Sequence, residues 1–193
     1  SGGFGSGDVN EAYTVSLVEG LVNEGIEVNP EVKRYYDDYF YKNRKKYRKP
    51  KNSLMAMLKT KRIPEIIPGD EFISSAAAES DAAIITIGRN QGEGKDRVEK
   101  DDFLLTFAEQ EIIDKVCSAY HNSGKKVIVV INAGGIIELT SLRNKPDAIL
   151  MAWQAGQEGG NSVASILRGA VSPGGKLPMT IPVRLTDNPS TAN

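Results

Sequence analysis

Apolar and polar positions change period several times along the chain, and each change marks a predicted element. From Ala82 to Ile87 six residues pass without a charge between polar neighbours, the pattern of a strand buried on both faces of a parallel sheet. Val127 to Ile131 and Ala148 to Ala152 repeat it. Between the first two runs the spacing becomes helical. Thr106-Phe107-Ala108-Glu109 is a capping box, and Ile112, Ile113, Val116, Cys117 and Tyr120 continue one apolar face until Asn122-Ser123-Gly124 closes it. Upstream, Tyr13, Leu17, Val18, Leu21 and Val22 predict a helix over Val9 to Glu24 with Gly25 as its C-cap. A second helix is predicted from about Glu31 with Pro30 in its first turn, and a short one runs from an Asp70 N-cap to Ala78 with Phe72, Ile73, Ala76 and Ala77 as its stripe. Downstream, Asn161 is predicted to cap a helix that ends at Arg168 and Gly169. Pro173-Gly174-Gly175 then turns the chain into Lys176 to Val183, where Pro178 and Pro182 restrict it to an edge strand.

Strand, helix and strand in alternation predict an α/β fold, a mostly parallel sheet sandwiched by helices. With 193 residues, 40% of them hydrophobic, the chain can fill one domain of ordinary size, or one with a small appendage. The domain is expected over 1–183, with 30–68 as a peripheral excursion and 184–193 as a polar linker.

Charge and reactive residues narrow the chemistry. A net charge of −1 supplies no global field for nucleic acid or for a membrane, and no apolar run approaches the roughly 20 residues of a membrane span. Seven cations stand between Lys42 and Lys51, beside an aromatic-rich helix, and read as a solvated face in a chain whose charge is balanced. Cys117 is the lone cysteine and His121 the lone histidine, which excludes an internal disulfide and a Cys/His zinc cluster. His121 ends a predicted helix, where a cation near the last carbonyls suits the dipole better than a catalytic role.

Two glycine-rich loops remain. The first, Gly3-Phe4-Gly5-Ser6-Gly7, has no strand ahead of it and Asp8 where a dinucleotide fingerprint needs its third glycine. The second leaves the end of the central strand: Gly88-Arg89, Gly92-Glu93-Gly94 and Asp96-Arg97. Loops at the carboxyl ends of parallel strands form the ligand crevice, and glycines on both sides let Glu93 be pushed outward. On the residues alone it is either a solvated turn or a presented acid. A Walker phosphate loop is absent, since Gly94-Lys95 is followed by Asp96.

Those two loops, together with Gly156-Gln157-Glu158-Gly159-Gly160 after Trp153 and Pro173-Gly174-Gly175-Lys176-Leu177-Pro178, resemble the second, α/β sandwich domain of family 3 glycoside hydrolases, in particular the β-glucosidase branch. The four motifs come in the family's order and cover nearly the whole chain. The resemblance implies that Glu93 is the general acid/base. It implies for Ser6 a contact with the sugar in the first subsite, beside the plainer role of a small residue that lets the loop turn. Glu158 belongs to a motif that is structural in the family. The partner it implies is an N-terminal barrel domain of the same protein, which carries the Asp nucleophile and which this chain lacks, along with a first strand. The substrate it implies is a β-glucoside or oligosaccharide, and no cofactor or metal is needed. The isolated chain is then expected to be inactive, and the compartment stays open. A non-catalytic sugar-binding or interaction module of the same fold is the alternative; it would tolerate loss of Glu93.

Overall fold

The computed structural model describes residues 12–47, 62–89 and 96–192. Within them two compact units separate: 12–47, 62–66 and 155–172 form one, and 67–89, 96–154 and 173–192 the other. In chain order the main elements are α1 (Leu17–Asn23), α2 (Pro30–Asn43), α3 (Asp70–Glu79), β1 (Ala82–Arg89), α4 (Phe107–Asn122), β2 (Lys126–Ala133), β3 (Ala148–Met151) and α5 (Gly159–Leu167).

The larger unit is a three-stranded parallel sheet in the order β1-β2-β3 with helices packed on it. Ala82 pairs with Lys126 and Arg89 with Ala133, so β1 and β2 run side by side over their full length. Odd-numbered residues of both strands, Ala83, Ile87, Val127, Val129, Ile131 and Ala133, face one core with Ile113, Cys117 and Tyr120 of α4 and Ala77 of α3. β1 is therefore not buried on both faces as its uncharged run suggested. Buried and open positions alternate along it, because the helices of this unit lie against the odd-numbered side.

α4 carries the predicted capping box: Thr106 Oγ1 accepts from the Glu109 N–H at 3.2 Å, and the Glu109 carboxylate accepts from the Thr106 N–H at 2.8 Å. It ends through Gly124 at φ 69°. α3 starts one residue earlier than expected, with Gly69 as its N-cap. Asp70 sits in the first turn, where its carboxylate suits the dipole and pairs with Lys115 of α4. At the opposite end of the sheet from its carboxyl ends, Asp147 accepts from Lys126 Nζ (2.7 Å), the Val127 N–H (2.8 Å) and the His121 ring (2.9 Å). Those contacts, Lys126 foremost, hold its carboxyl well below the ordinary range.

In the smaller unit α1 begins only at Leu17, leaving Tyr13 outside the helix predicted from Val9. Ser16 and Glu19 form a second capping box that fixes the start there. Its end is a Schellman motif: Gly25 at φ 76° donates to the Val22 carbonyl and Ile26 to that of Leu21. α2 has Pro30 in its first turn, as expected, and is capped by Asn29, a cap not read from the sequence; Tyr39 donates to the Pro64 carbonyl at 2.8 Å. α5 begins at Gly159, two residues ahead of the predicted Asn161 cap. The reason is contact with α1: a Cβ on Gly20 would stand 2.2 Å from the Gly160 carbonyl oxygen, and one on Gly160 2.1 Å from that of Ser16. Only paired glycines allow two backbones this close, and they set where the helix starts.

Residues 176–183 form no strand. Pro178 and Pro182 each remove a ladder donor, and the segment is irregular. It leads into 3-10 turns at Leu185–Asp187 and Pro189–Ala192, with Leu185 buried. Among the described residues no helix is long and apolar enough to cross a membrane, and no three acidic, His or Cys side chains gather into a metal site.

Candidate active site

The carboxyl ends of β1 and β2 are where the larger unit collects its buried charge. Arg89 is the last residue of β1 and an odd one, so its side chain points to the same side as Ile87, toward the start of α4. A helix that follows a strand and returns antiparallel begins over that strand's carboxyl end. Glu109, in the first turn of α4, thereby meets Arg89. The two guanidinium ends donate to the two carboxylate oxygens at 2.6 and 2.7 Å, with both residues about 5% exposed or less. The remaining Arg89 donors go to backbone carbonyls: Nε to Asp102 at 2.7 Å, Nη1 to Gly88 at 2.9 Å and Nη2 to Leu104 at 3.4 Å.

An arginine with every N–H engaged has no donor left for a ligand. Arg89 is scaffold, and what it holds is the loop over 98–106. A buried charge pair with satisfied hydrogen bonds is tolerable in the interior, whereas either partner alone would be strongly destabilising. Glu109 thus serves twice, as the capping-box acid and as the counter-ion of Arg89.

On the far side of segment 90–95 the chain re-enters the described structure at Asp96. Arg97 Nη1 donates to Asp102 Oδ1 at 2.6 Å, and the Val98 N–H to Asp102 Oδ2 at 3.1 Å. Asp101, at φ 59°, turns the backbone so that Asp102 faces back toward these donors. Phe103, fully buried, anchors the turn: its N–H donates to the Val98 carbonyl and its carbonyl accepts from Glu138, each at 2.9 Å. Glu138 follows β2 and is itself 2% exposed. Its Oε2 accepts from the Ser141 N–H at 2.9 Å, while Oε1 has no partner among the described residues. Beyond β3, Trp153 holds φ 52°, a strained value for a bulky residue, and the Gln154 carboxamide lies against Gly134.

Glu93 and Ser6, the two site residues expected from sequence, lie outside the described residues. So do the rest of the first glycine loop and the end of the basic run from 48 to 51. What the structure does place are the feet of the Glu93 segment, Arg89 and Arg97, both tied to Asp102. Glu158, in the smaller unit, accepts hydrogen bonds from the Tyr13 hydroxyl and from Asn161 Nδ2 (2.6 Å), and these, Tyr13 first, lower its pKa. Gln157 Nε2 in turn donates to the Tyr13 carbonyl at 3.0 Å.

Sequence reading missed the Arg89–Glu109 pair and Asp102. The capping box pointed to Glu109, but nothing in it announced a second partner 20 residues upstream. Asp102 sits in the charged stretch Glu99-Lys100-Asp101-Asp102, where no motif sets it apart from its neighbours.

The profile of the glycosyl hydrolase family 3 C-terminal domain matches residues 1–193. A β-glucosidase of Ruminococcus albus is 35% identical over 99% of this chain, and β-glucosidase A of Butyrivibrio fibrisolvens 36% identical over 98%. This chain spans 20% and 24% of the lengths of those two relatives. Among solved structures, β-glucosidase 3B from Thermotoga neapolitana in complex with glucose superimposes with a TM-score of 0.90 at 39% identity, over 99% of this chain and 26% of its own.

Proposed function

The chain belongs to the glycosyl hydrolase family 3 C-terminal domain family, and from that membership we propose that it is the acid/base part of a retaining β-glucosidase. The observation that carries the reading is the match to β-glucosidases along the whole chain, with a Gly-Glu-Gly segment leaving the carboxyl end of β1 between two arginines fastened to one turn.

Retaining hydrolysis uses two carboxyl groups about 5 Å apart, one attacking the anomeric carbon and one protonating the departing oxygen. Glu93 is the second of these. It gives its proton to the glycosidic oxygen as the bond to carbon breaks, and then, as carboxylate, takes a proton from the water that releases the sugar. The nucleophile is an Asp on an N-terminal barrel domain of the same protein, against which residues 1–183 form the acid/base domain and 184–193 the onward linker. Ser6 reaches the sugar in the first subsite. The substrate is a β-glucoside or oligosaccharide with a terminal β-glucosyl residue, and the chemistry needs no cofactor.

Glu158 is a poor candidate for the same role. Tyr13 and Asn161 stabilise its ionised form, whereas a general acid is tuned in the other direction. The test is Glu93→Ala in the full-length enzyme. Hydrolysis of disaccharides, with their poor leaving groups, should fall by about 10²- to 10⁴-fold. The first step on dinitrophenyl β-glucoside, which needs no proton, should fall far less. An equal loss on both, or none, would leave an interaction module whose Glu93 is a loop residue.

A further inference from the structure

We infer that 173–183 is a docking strap, whose Leu177, Met179 and Val183 seat against an apolar surface on the N-terminal part of the full-length protein. The inference rests on the reading above in one respect, that this part is the domain that completes the enzyme. By composition the strap belongs to an interior: from Pro173 to Val183 the single charge is Lys176. By position it lies on a surface. Residues 173–180 are exposed throughout, and Leu177, Met179 and Val183 are 51%, 45% and 65% exposed. An apolar side chain exposed by itself is ordinary. Three within seven residues form the kind of patch that marks an interaction site. Where local sequence and surroundings disagree in this way, the missing element is a surface that the chain itself does not hold.

Among the described residues, no backbone or side-chain group of 173–183 takes part in a hydrogen bond. The chain resumes its own contacts directly afterwards, where Arg184 Nε donates to Asp187 at 3.0 Å and Leu185 is buried. Pro173 to Pro178 is also one of the motifs that carry the family resemblance, yet it supports no other element of this fold. Pro173, Pro178 and Pro182 restrict the backbone before any contact is made, so the strap loses less freedom on seating than an ordinary loop. The same prolines remove ladder donors, which leaves side-chain packing rather than strand pairing as the mode of contact. The occupant follows from what the chain is a part of. The matched profile is that of a C-terminal domain, and the chain spans 20% to 26% of the β-glucosidases it resembles, so in those proteins most of the polypeptide lies outside the matched part. A C-terminal domain has that remainder on its N-terminal side.

Methionine oxidation reads the seat directly, because thioether reactivity follows exposure. In the native full-length enzyme, hydrogen peroxide should oxidise Met179 about 10-fold or more slowly than in the urea-unfolded enzyme, followed by peptide mass spectrometry. The protection should be the same at every protein concentration. An unseated Met179, 45% exposed, would instead oxidise within about 2- to 3-fold of the unfolded rate. The occupant is read by a photo-reactive residue, Leu177→benzoylphenylalanine, in the same full-length enzyme. Irradiation should join it, within one polypeptide, to peptides N-terminal to this chain. Should that variant not fold, Val183→benzoylphenylalanine carries the same comparison. Oxidation of Met179 near the unfolded rate would overturn the inference. So would protection that grows with protein concentration or cross-links between two polypeptides, which would mean a second copy, and so would cross-links confined to peptides downstream of this chain. Neither readout uses activity: a Glu93→Ala enzyme with no dependence on the leaving group would sink the functional reading and leave the strap standing.

Discussion

Gly160→Ala tests the packing of α1 on α5, and its cost can be worked from the contact itself. The added Cβ would lie 2.1 Å from the Ser16 carbonyl oxygen and 2.6 Å from that of Val15, where ordinary contact begins at 3.4 Å. The deficit is 3.4 − 2.1 = 1.3 Å, and because both obstacles are backbone no side chain can swing aside. α1 and its capped entry must move. That displacement breaks the Gly160 N–H bond to the Val15 carbonyl, now 3.2 Å, at about 1 kcal/mol. Forcing a methyl into a filled contact costs about 1–3 kcal/mol. Alanine's helix propensity returns about 1 kcal/mol. The net loss is about 2 kcal/mol. In urea unfolding followed by far-ultraviolet circular dichroism, with m about 2–3 kcal/mol/M, the midpoint should fall by about 0.7–1 M. Gly174→Ala is the control, since no atom lies within 4 Å of its added Cβ and its φ is not positive; it should stay within about 0.5 kcal/mol of wild type. An unchanged or raised midpoint for Gly160→Ala would refute the claim that paired glycines set this crossing.

Three other outcomes are expected. Arg89→Met leaves the Glu109 carboxylate buried without its partner and should cost about 3–5 kcal/mol, read as a lowered urea midpoint, while Arg89→Met/Glu109→Gln should recover a substantial part of it; no recovery would mean that the pair is not the source. The Asp147 carboxyl has its folded-state pKa below the ordinary value of about 3.9, so the stability it adds is complete above that pH and drains away as pH falls through and below it. The melting-temperature gap between wild type and Asp147→Asn should therefore narrow from about pH 6 to about pH 2, and a constant gap would count against the three contacts. On the proposed division of labour, with the nucleophilic Asp on a barrel domain, the chain of 193 residues alone should show no turnover of aryl β-glucosides; steady hydrolysis by the pure chain would contradict that division.

Elements were legible where local chemistry decides them. The capping box at Thr106 and Glu109, the Pro30 start and the Gly25 and Gly124 ends are written in short-range hydrogen bonding, and each lies where the sequence put it. The alternating burial of β1 was not legible, since Ile84 and Ile85 look alike in an uncharged run until a helix takes one side. The starts of α1 and α5 depend on each other across some 140 residues of sequence, through Gly20 and Gly160, and no window along the chain contains both. The edge strand expected over 176–183 is absent because Pro178 and Pro182 leave too few ladder donors even for pairing at an edge. At the site, glycines flagged the Glu93 segment, but Asp102 stood in the charged stretch Glu99-Lys100-Asp101-Asp102, where nothing local marks the residue that accepts from Arg89, Arg97 and Val98.

The central claim, that Glu93 is the acid/base of a retaining β-glucosidase, is tested most directly by trapping the intermediate. In full-length Glu93→Ala given dinitrophenyl β-glucoside, the glycosyl-enzyme forms without acid help but water is no longer activated to release it. Added azide, which needs no base, should speed turnover and yield glucosyl azide of the β configuration. Turnover that azide does not change, with glucose as the sole product, would contradict the account.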